Sequence, residues 1–170
     1  YVSGRSKDLI IRSGHNIDPT MIENALSTHP AVAIAAAVGM PDAYAGELPM
    51  CFVEINADTV VSVDELMAHA QSTIDERPAW PKKIQIVETI PLTSVGKIFK
   101  PSLRCQAIKF VIQELLDNEF KLHNAKIDVV SGGPRGMCVT VILSNEDETS
   151  APDIVKALEA YLFETKVQID

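Results

Sequence analysis

The chain has 170 residues, a formal net charge of −8 at pH 7 and a hydrophobic fraction of 46%. That length suits one ordinary domain or a domain with a small appendage, and that apolar content excludes global disorder. The acidic balance argues against nonspecific binding to nucleic acid or to an anionic membrane, while leaving room for one local basic pocket that takes phosphates. Aromatic residues are only 5%, so the core must be mostly aliphatic and alanine. Three cysteines (Cys51, Cys105, Cys138) are scattered and never form a CxxC pair. This speaks against a disulfide scaffold and for a reducing, cytoplasmic setting. His15, His29, His69 and His123 share no ligand spacing with them, so no metal site is expected. The longest apolar run, Ala31 to Met40, is about half of the roughly 20 residues that cross a bilayer, so neither a transmembrane segment nor a secretory signal is expected. A start at Tyr1, with Gly4-Arg5 close behind, suggests a piece excised from a longer chain.

In chain order, residues 1–17 read as a short hairpin: Leu9-Ile10-Ile11 is an apolar run, Ser13-Gly14 a turn, and Asn16-Ile17 the way out. Asp18 before Pro19 is a helix start, with an N-cap oxygen and a proline at the first helical position. Ile22, Ala25 and Leu26 give that helix one apolar face, and His29-Pro30 ends it. Ala31 to Val38 is nearly all apolar and suits a strand covered on both faces. Met40-Pro41-Asp42 and Ala45-Gly46 mark a loop, and Met50 to Ile55 a second strand. Ser62 and Glu65 have capping-box spacing before a helix with Leu66, Ala70 and Ile74 on one stripe. Lys83 to Val87 alternates as a half-buried strand, and Pro91 to Lys100 is a loop. Pro101 opens a long helix whose inner face is Leu103, Ala107, Phe110, Val111 and Leu115. The tail reads as strand (Ile127 to Val130), Gly-rich turn (131–136), strand (Met137 to Leu143), acidic loop, helix and strand. In that helix Ile154, Val155, Leu158 and Leu162 point inward. The fold class is α+β: a small mixed sheet flanked by helices with an N-terminal hairpin, plus a small C-terminal β-β-α-β unit. The expected domains are 1–124 and 125–170.

The chemistry concentrates in Pro91-Leu92-Thr93-Ser94-Val95-Gly96-Lys97-Ile98-Phe99-Lys100. Two ammonium groups beside a helix N-terminus are unfavourable, because that end already carries about half a positive charge. An anion such as phosphate or carboxylate, seated by both lysines and the free amides, would repay that cost. A solvated surface loop is the plainer alternative, since Gly-Lys alone is a weak motif.

A second string, Gly4-Arg5-Ser6-Lys7-Asp8-Leu9-Ile10-Ile11-Arg12-Ser13-Gly14-His15-Asn16-Ile17-Asp18-Pro19 followed by Ile22-Glu23, resembles the signature that opens the C-terminal domain of adenylate-forming enzymes. Pro91-x-Thr93-x-x-Gly96-Lys97-Ile98-x-Lys100-x-x-Leu103-Arg104 resembles the signature near the end of the same domain. The wording is most similar to acyl-CoA synthetases acting on carboxylic acids, over about residues 1–110, and the tail matches no motif. The resemblance implies a mobile lid that rotates to present two faces in turn. Lys97 would reach the carboxylate and α-phosphate during adenylation, neutralising charge as phosphoryl transfer proceeds. Arg5 would lie near the ribose and phosphate of the adenylate, and Lys7 at the interdomain hinge. Gly14 would line the tunnel for the pantetheine arm, with His15 beside it. Asn16 departs from the arginine of several relatives. ATP/AMP and CoA are the implied substrates, with Mg2+ accompanying ATP in the full-length enzyme and not held by this piece. The implied partners are the N-terminal adenylation domain of the same chain, CoA and a carboxylic acid. Without that domain the piece should be catalytically incompetent. A carrier-protein-loading ligase is an alternative, as is a non-catalytic binding module that forms a homo-oligomer through the tail.

Overall fold

The structure is a computed structural model that describes residues 8–133 and 135–170. Arg5, Lys7 and the first part of the expected N-terminal hairpin lie outside these residues. The chain divides into two compact units, one running to Met40 and over Glu47–Arg104, the other comprising Pro41–Gly46 and Cys105–Asp170.

In the first unit, β1 (Ile10–Arg12) and β2 (His15–Ile17) form an antiparallel hairpin with Arg12 opposite His15. The turn between them is possible because Ser13 and Gly14 both take positive φ, 49° and 80°. Successive left-handed residues twist a two-residue turn in the same sense as the strands it joins. Helix α1 (Pro19–Ser27) starts as its sequence predicts: the Asp18 carboxylate accepts from Thr20 N–H at 2.9 Å, and Pro19 fills the first turn. Strands β3 (Val32–Asp42) and β4 (Gly46–Ile55) are hydrogen-bonded neighbours joined by three residues, and β4 also pairs in parallel with β5 (Lys83–Val87). Helix α2 (Val63–Thr73) makes the crossover between β4 and β5, capped by Ser62 Oγ accepting from Glu65 N–H at 3.1 Å. Ala35, Ala37, Cys51 and Val53 on one sheet face pack with Ile22 and Leu26 of α1 and Leu66 and Ala70 of α2. Their alternates Ala36, Val38, Met50 and Phe52 are buried as well, so β3 is covered on both faces as expected, and β4, for which no such expectation was drawn, is too. Both strands run further than the sequence predicts. Pro41 sits inside β3 rather than in a loop, and the turn shrinks to residues 43–45, where Asp42 Oδ1 accepts from Tyr44 and Ala45 N–H.

Helix α3 (Lys100–Leu115) runs through the division at residue 104 and ends in a wider π turn over Leu116–Phe120, closed by left-handed Lys121. In the second unit β6 (Lys126–Ser131) and β7 (Met137–Leu143) are antiparallel. After a 3-10 turn over Asn145–Ser150 and helix α4 (Ala151–Leu158), β8 (Glu164–Ile169) returns parallel to β7. This is the expected β-β-α-β order. Its core is Val129, Val139, Val141, Leu143, Ile154 and Leu158, and Ile108 and Ile112 of α3 with Leu116 of the π turn complete it. The apolar side of α3 and its π turn is therefore Leu103, Ala107, Ile108, Ile112 and Leu116, shifted from the predicted Phe110, Val111 and Leu115, which are only half-buried. Apolar residues occupy more than half of this helix's circumference, beside a polar stripe at Ser102, Gln106, Lys109 and Gln113, so periodicity alone did not fix its rotation. Leu162 is 71% exposed because α4 stops at Leu158, and Phe163 fills the core in its place. Val155 also faces outward.

Among the described residues no helix is long and apolar enough to cross a membrane, and no group of three or more His, Cys, Asp or Glu is arranged to hold a metal ion. Ile154→Ala, which empties a fully buried site in α4, should cost about 2–5 kcal/mol by urea denaturation. Val155→Ala, one position along the same helix, should stay within about 0.5 kcal/mol. Equal losses would mean that α4 is rotated from the orientation described.

Candidate functional site

The loop expected at 91–100 is a tight hairpin. Leu92 and Ile98 form an antiparallel bridge, Phe99 N–H donates to Pro91 O at 2.8 Å, and Thr93 N–H donates to Lys97 O at 2.6 Å. At the tip Gly96 N–H donates to Thr93 O, and Lys97 N–H donates to Thr93 Oγ1 at 3.1 Å. Thr93 thus satisfies the tip's amides with both its carbonyl and its hydroxyl. Gly96 supplies the positive φ of 78° that reverses the chain. Lys97 follows it immediately, exposed, and among the described residues its ammonium has no hydrogen-bond or ion-pair partner. Leu92, Val95 and Phe99 are exposed around it.

The second lysine behaves differently. Lys100 Nζ lies 2.7 Å from Glu23 Oε1, and both side chains are about 85% buried (15% and 16% exposed). The same Glu23 oxygen accepts from Ala37 N–H at 2.9 Å. The sequence suggested that both lysines seat one anion, and the structure corrects this. Lys100 is neutralised by α1, so of the pair only Lys97 is available to a ligand. The helix N-terminus tolerates a lysine because a carboxylate stands beside it. Nothing local marked this partner, which is 77 positions upstream. Cys51 is buried near the pair, and burial first, then the Glu23 carboxylate, pushes its thiol far up, with Lys100 opposing. It is not a nucleophile at neutral pH.

The other face is the β1–β2 turn. Gly14 is exposed, and a Cβ built on it would meet nothing within 4 Å. Arg12 Nη1 donates to Pro78 O at 2.7 Å, tying the hairpin to the 3-10 turn at Arg77–Ala79. His15 Nε2 lies 3.7 Å from Glu76 Oε2, both well exposed. Arg12, Ser13, His15, Arg77 and Pro78 line an open groove of about 360 Å3 beside Gly14. Gly14 and His15 therefore share one open surface, and Lys97 stands on a separate hairpin. Asp8 Oδ1 accepts from Arg104 Nη2 at 3.1 Å, a contact between the two signature strings that the sequence did not foretell.

Residues 21–97 match the AMP-binding enzyme C-terminal domain family. A marinolic acid–CoA ligase from a Pseudoalteromonas species is 43% identical over 141 residues, 83% of this chain and 22% of that protein. The acetyl-coenzyme A synthetase of Pyrobaculum aerophilum is 33% identical over 162 residues, 94% of this chain and 20% of that one, a span that reaches into the tail. The crystal structure of Brucella canis acyl-CoA synthetase superposes with a TM-score of 0.57 at 34% identity, covering 64% of this chain and 20% of the other. The chain carries the C-terminal domain of the AMP-binding, adenylate-forming enzymes, the domain it shares with these acyl-CoA synthetases. It spans about a fifth of the length of these relatives.

Gly96→Ala should keep the hairpin's surroundings intact, because a Cβ there meets nothing within 4 Å. Its whole cost is the left-handed backbone, about 1–2 kcal/mol, readable as a lowered denaturation midpoint. A neutral result would mean that the tip relaxes to negative φ.

Proposed function

We propose that this chain is the mobile C-terminal lid of an ATP-dependent acyl-CoA synthetase. The whole enzyme joins a carboxylic acid to CoA through an acyl-adenylate, releasing pyrophosphate and then AMP. The observation that carries this reading is Lys97: an unpartnered ammonium on the tip of a braced hairpin, beside a second lysine already neutralised by Glu23. During adenylation the acid's carboxylate attacks the α-phosphorus and pyrophosphate leaves. An ammonium delivered by the hairpin stabilises the negative charge at the reacting groups. Exposed apolar neighbours let such a tip enter a drier cleft, where the charge acts more strongly. In the second step the CoA thiol attacks the acyl carbonyl and AMP leaves. The open groove at Gly14 and His15 suits the pantetheine arm there. Arg5 at the nucleotide and Lys7 at the hinge complete the proposal. The missing partner is the N-terminal domain of the same enzyme, which holds ATP with Mg2+ and the acid. Alone, the lid should not turn over.

In the enzyme that carries this domain, Lys97→Ala should slow acyl-adenylate formation by two to three orders of magnitude, about 3–4 kcal/mol of lost transition-state stabilisation. Pyrophosphate exchange measures that step. Thioester formation from supplied acyl-adenylate should be largely spared, and equal loss of both would defeat the two-face reading.

The Gly14 face is tested by comparing Gly14→Leu with Gly14→Asn. Asparagine tolerates positive φ better than leucine, so it strains the turn less while still adding a side chain to the open groove. Both variants should impair CoA transfer and leave pyrophosphate exchange near normal. If Gly14→Asn transferred acyl groups at the parent rate and only Gly14→Leu failed, backbone strain and not the groove would explain the glycine.

A further inference from the structure

Each of the two hairpins is rooted by its own carboxylates, and the two sets do not overlap. The Lys97 hairpin has its feet at Ile90 and Lys100. Ile90, buried at 1% exposure, donates its N–H to Glu54 Oε2 at 2.9 Å. Lys100 is held by Glu23, which also accepts from Ala37 N–H of β3. One foot is thereby pinned to β4 and the other to α1 and β3. The Gly14 hairpin is pinned elsewhere: Ile11 N–H of β1 donates to Glu47 Oε2 at 2.8 Å. That carboxylate packs against Gly39, where a built Cβ would overlap it, so the absent side chain at 39 makes room for Glu47 to reach across to β1.

These three carboxylates lie in one unit, on α1 and β4, and none is on the exposed surface of either hairpin tip. A rigid sheet buried on both faces is the common ground to which they fix two otherwise exposed turns. We infer that Glu23 and Glu54 are positioning residues for the Lys97 hairpin and hence for adenylation, and that Glu47 is the positioning residue for the Gly14 turn and hence for thioester formation. This rests on the two-face reading above. It goes further in holding that the half-reactions are separable at residues that touch no substrate. Misplacing a reacting group by about 1 Å costs on the order of 10²-fold in rate.

The chemistry of each contact sets how far a conservative change can rescue it. Glu47 and Glu54 each accept from a neutral amide, a role that a glutamine oxygen can also fill. Glu23 faces an ammonium that is itself largely buried, so an uncharged glutamine leaves Lys100 uncompensated.

The test is made in the full-length enzyme, with pyrophosphate exchange and thioester formation from supplied acyl-adenylate measured side by side. Glu23→Gln and Glu54→Ala should each lower adenylation about 10- to 100-fold and change thioester formation less than about threefold. Glu47→Ala should do the reverse. Glu47→Gln and Glu54→Gln should recover most of the lost rate, and Glu23→Gln should not. Should Glu23→Gln fail to fold, Lys100→Met severs the same tie and should show the same selective loss. Variants that lower both half-reactions together, or neither, overturn the inference. Lys97→Ala and Gly14→Asn run beside them separate the two levels. If these dissociate the half-reactions and the carboxylate variants do not, the inference fails and the two-face reading stands. If they too fail to dissociate them, both fall.

Discussion

A charged group on the end of a thin turn is only as well aimed as the turn's root. In this domain the root of the Lys97 hairpin is the ion pair between Glu23 and Lys100. Both partners are largely removed from water, so neither can swing out without leaving the other as an uncompensated charge. The pair crosses from the first helix to the first turn of α3, and through Ala37 N–H it also engages the central sheet. It ties together segments 77 residues apart, from the two ends of the family signature. The contact between Asp8 and Arg104 does the same a few residues away. The domain's two motifs, distant in sequence, are adjacent in space.

The same pair divides the labour of two lysines that look equivalent in a string of letters. One is a structural counter-ion and the other is exposed at the tip. Thr93 does related work at the neutral level, answering the amides of Gly96 and Lys97 so that the turn needs no ligand to hold its shape. An arrangement preorganised in this way spends little ordering entropy when it meets its target.

Local chemistry was legible wherever it was self-contained. Asp18-Pro19, Ser62 with Glu65, and Ser13-Gly14 each specify their caps or turn by contacts within three residues, and all three appear as read. The motif strings gave the family because they carry many residues in fixed order. What escaped was decided at long range. β3 continues through Pro41 because the hairpin with β4 supplies pairing that the local sequence does not advertise. The rotation of α3 is set by Val129, Val139 and their neighbours in the second unit. Glu47 and Glu54 passed unnoticed, although a carboxylate set in a strand as apolar as Met-Cys-Phe-Val is itself a signal: it must be answered by a donor from elsewhere. The donor could not be named before the chain was folded.

The thiol of Cys51 lies at the centre of that apolar strand with no accessible surface, whereas Cys105 and Cys138 are partly exposed. The protein therefore carries its own stopwatch. An alkylating reagent will mark the two outer thiols on contact with the native state, while the inner one reacts only when the sheet around it parts. Its rate of labelling reports how often the platform on which both hairpins stand comes open.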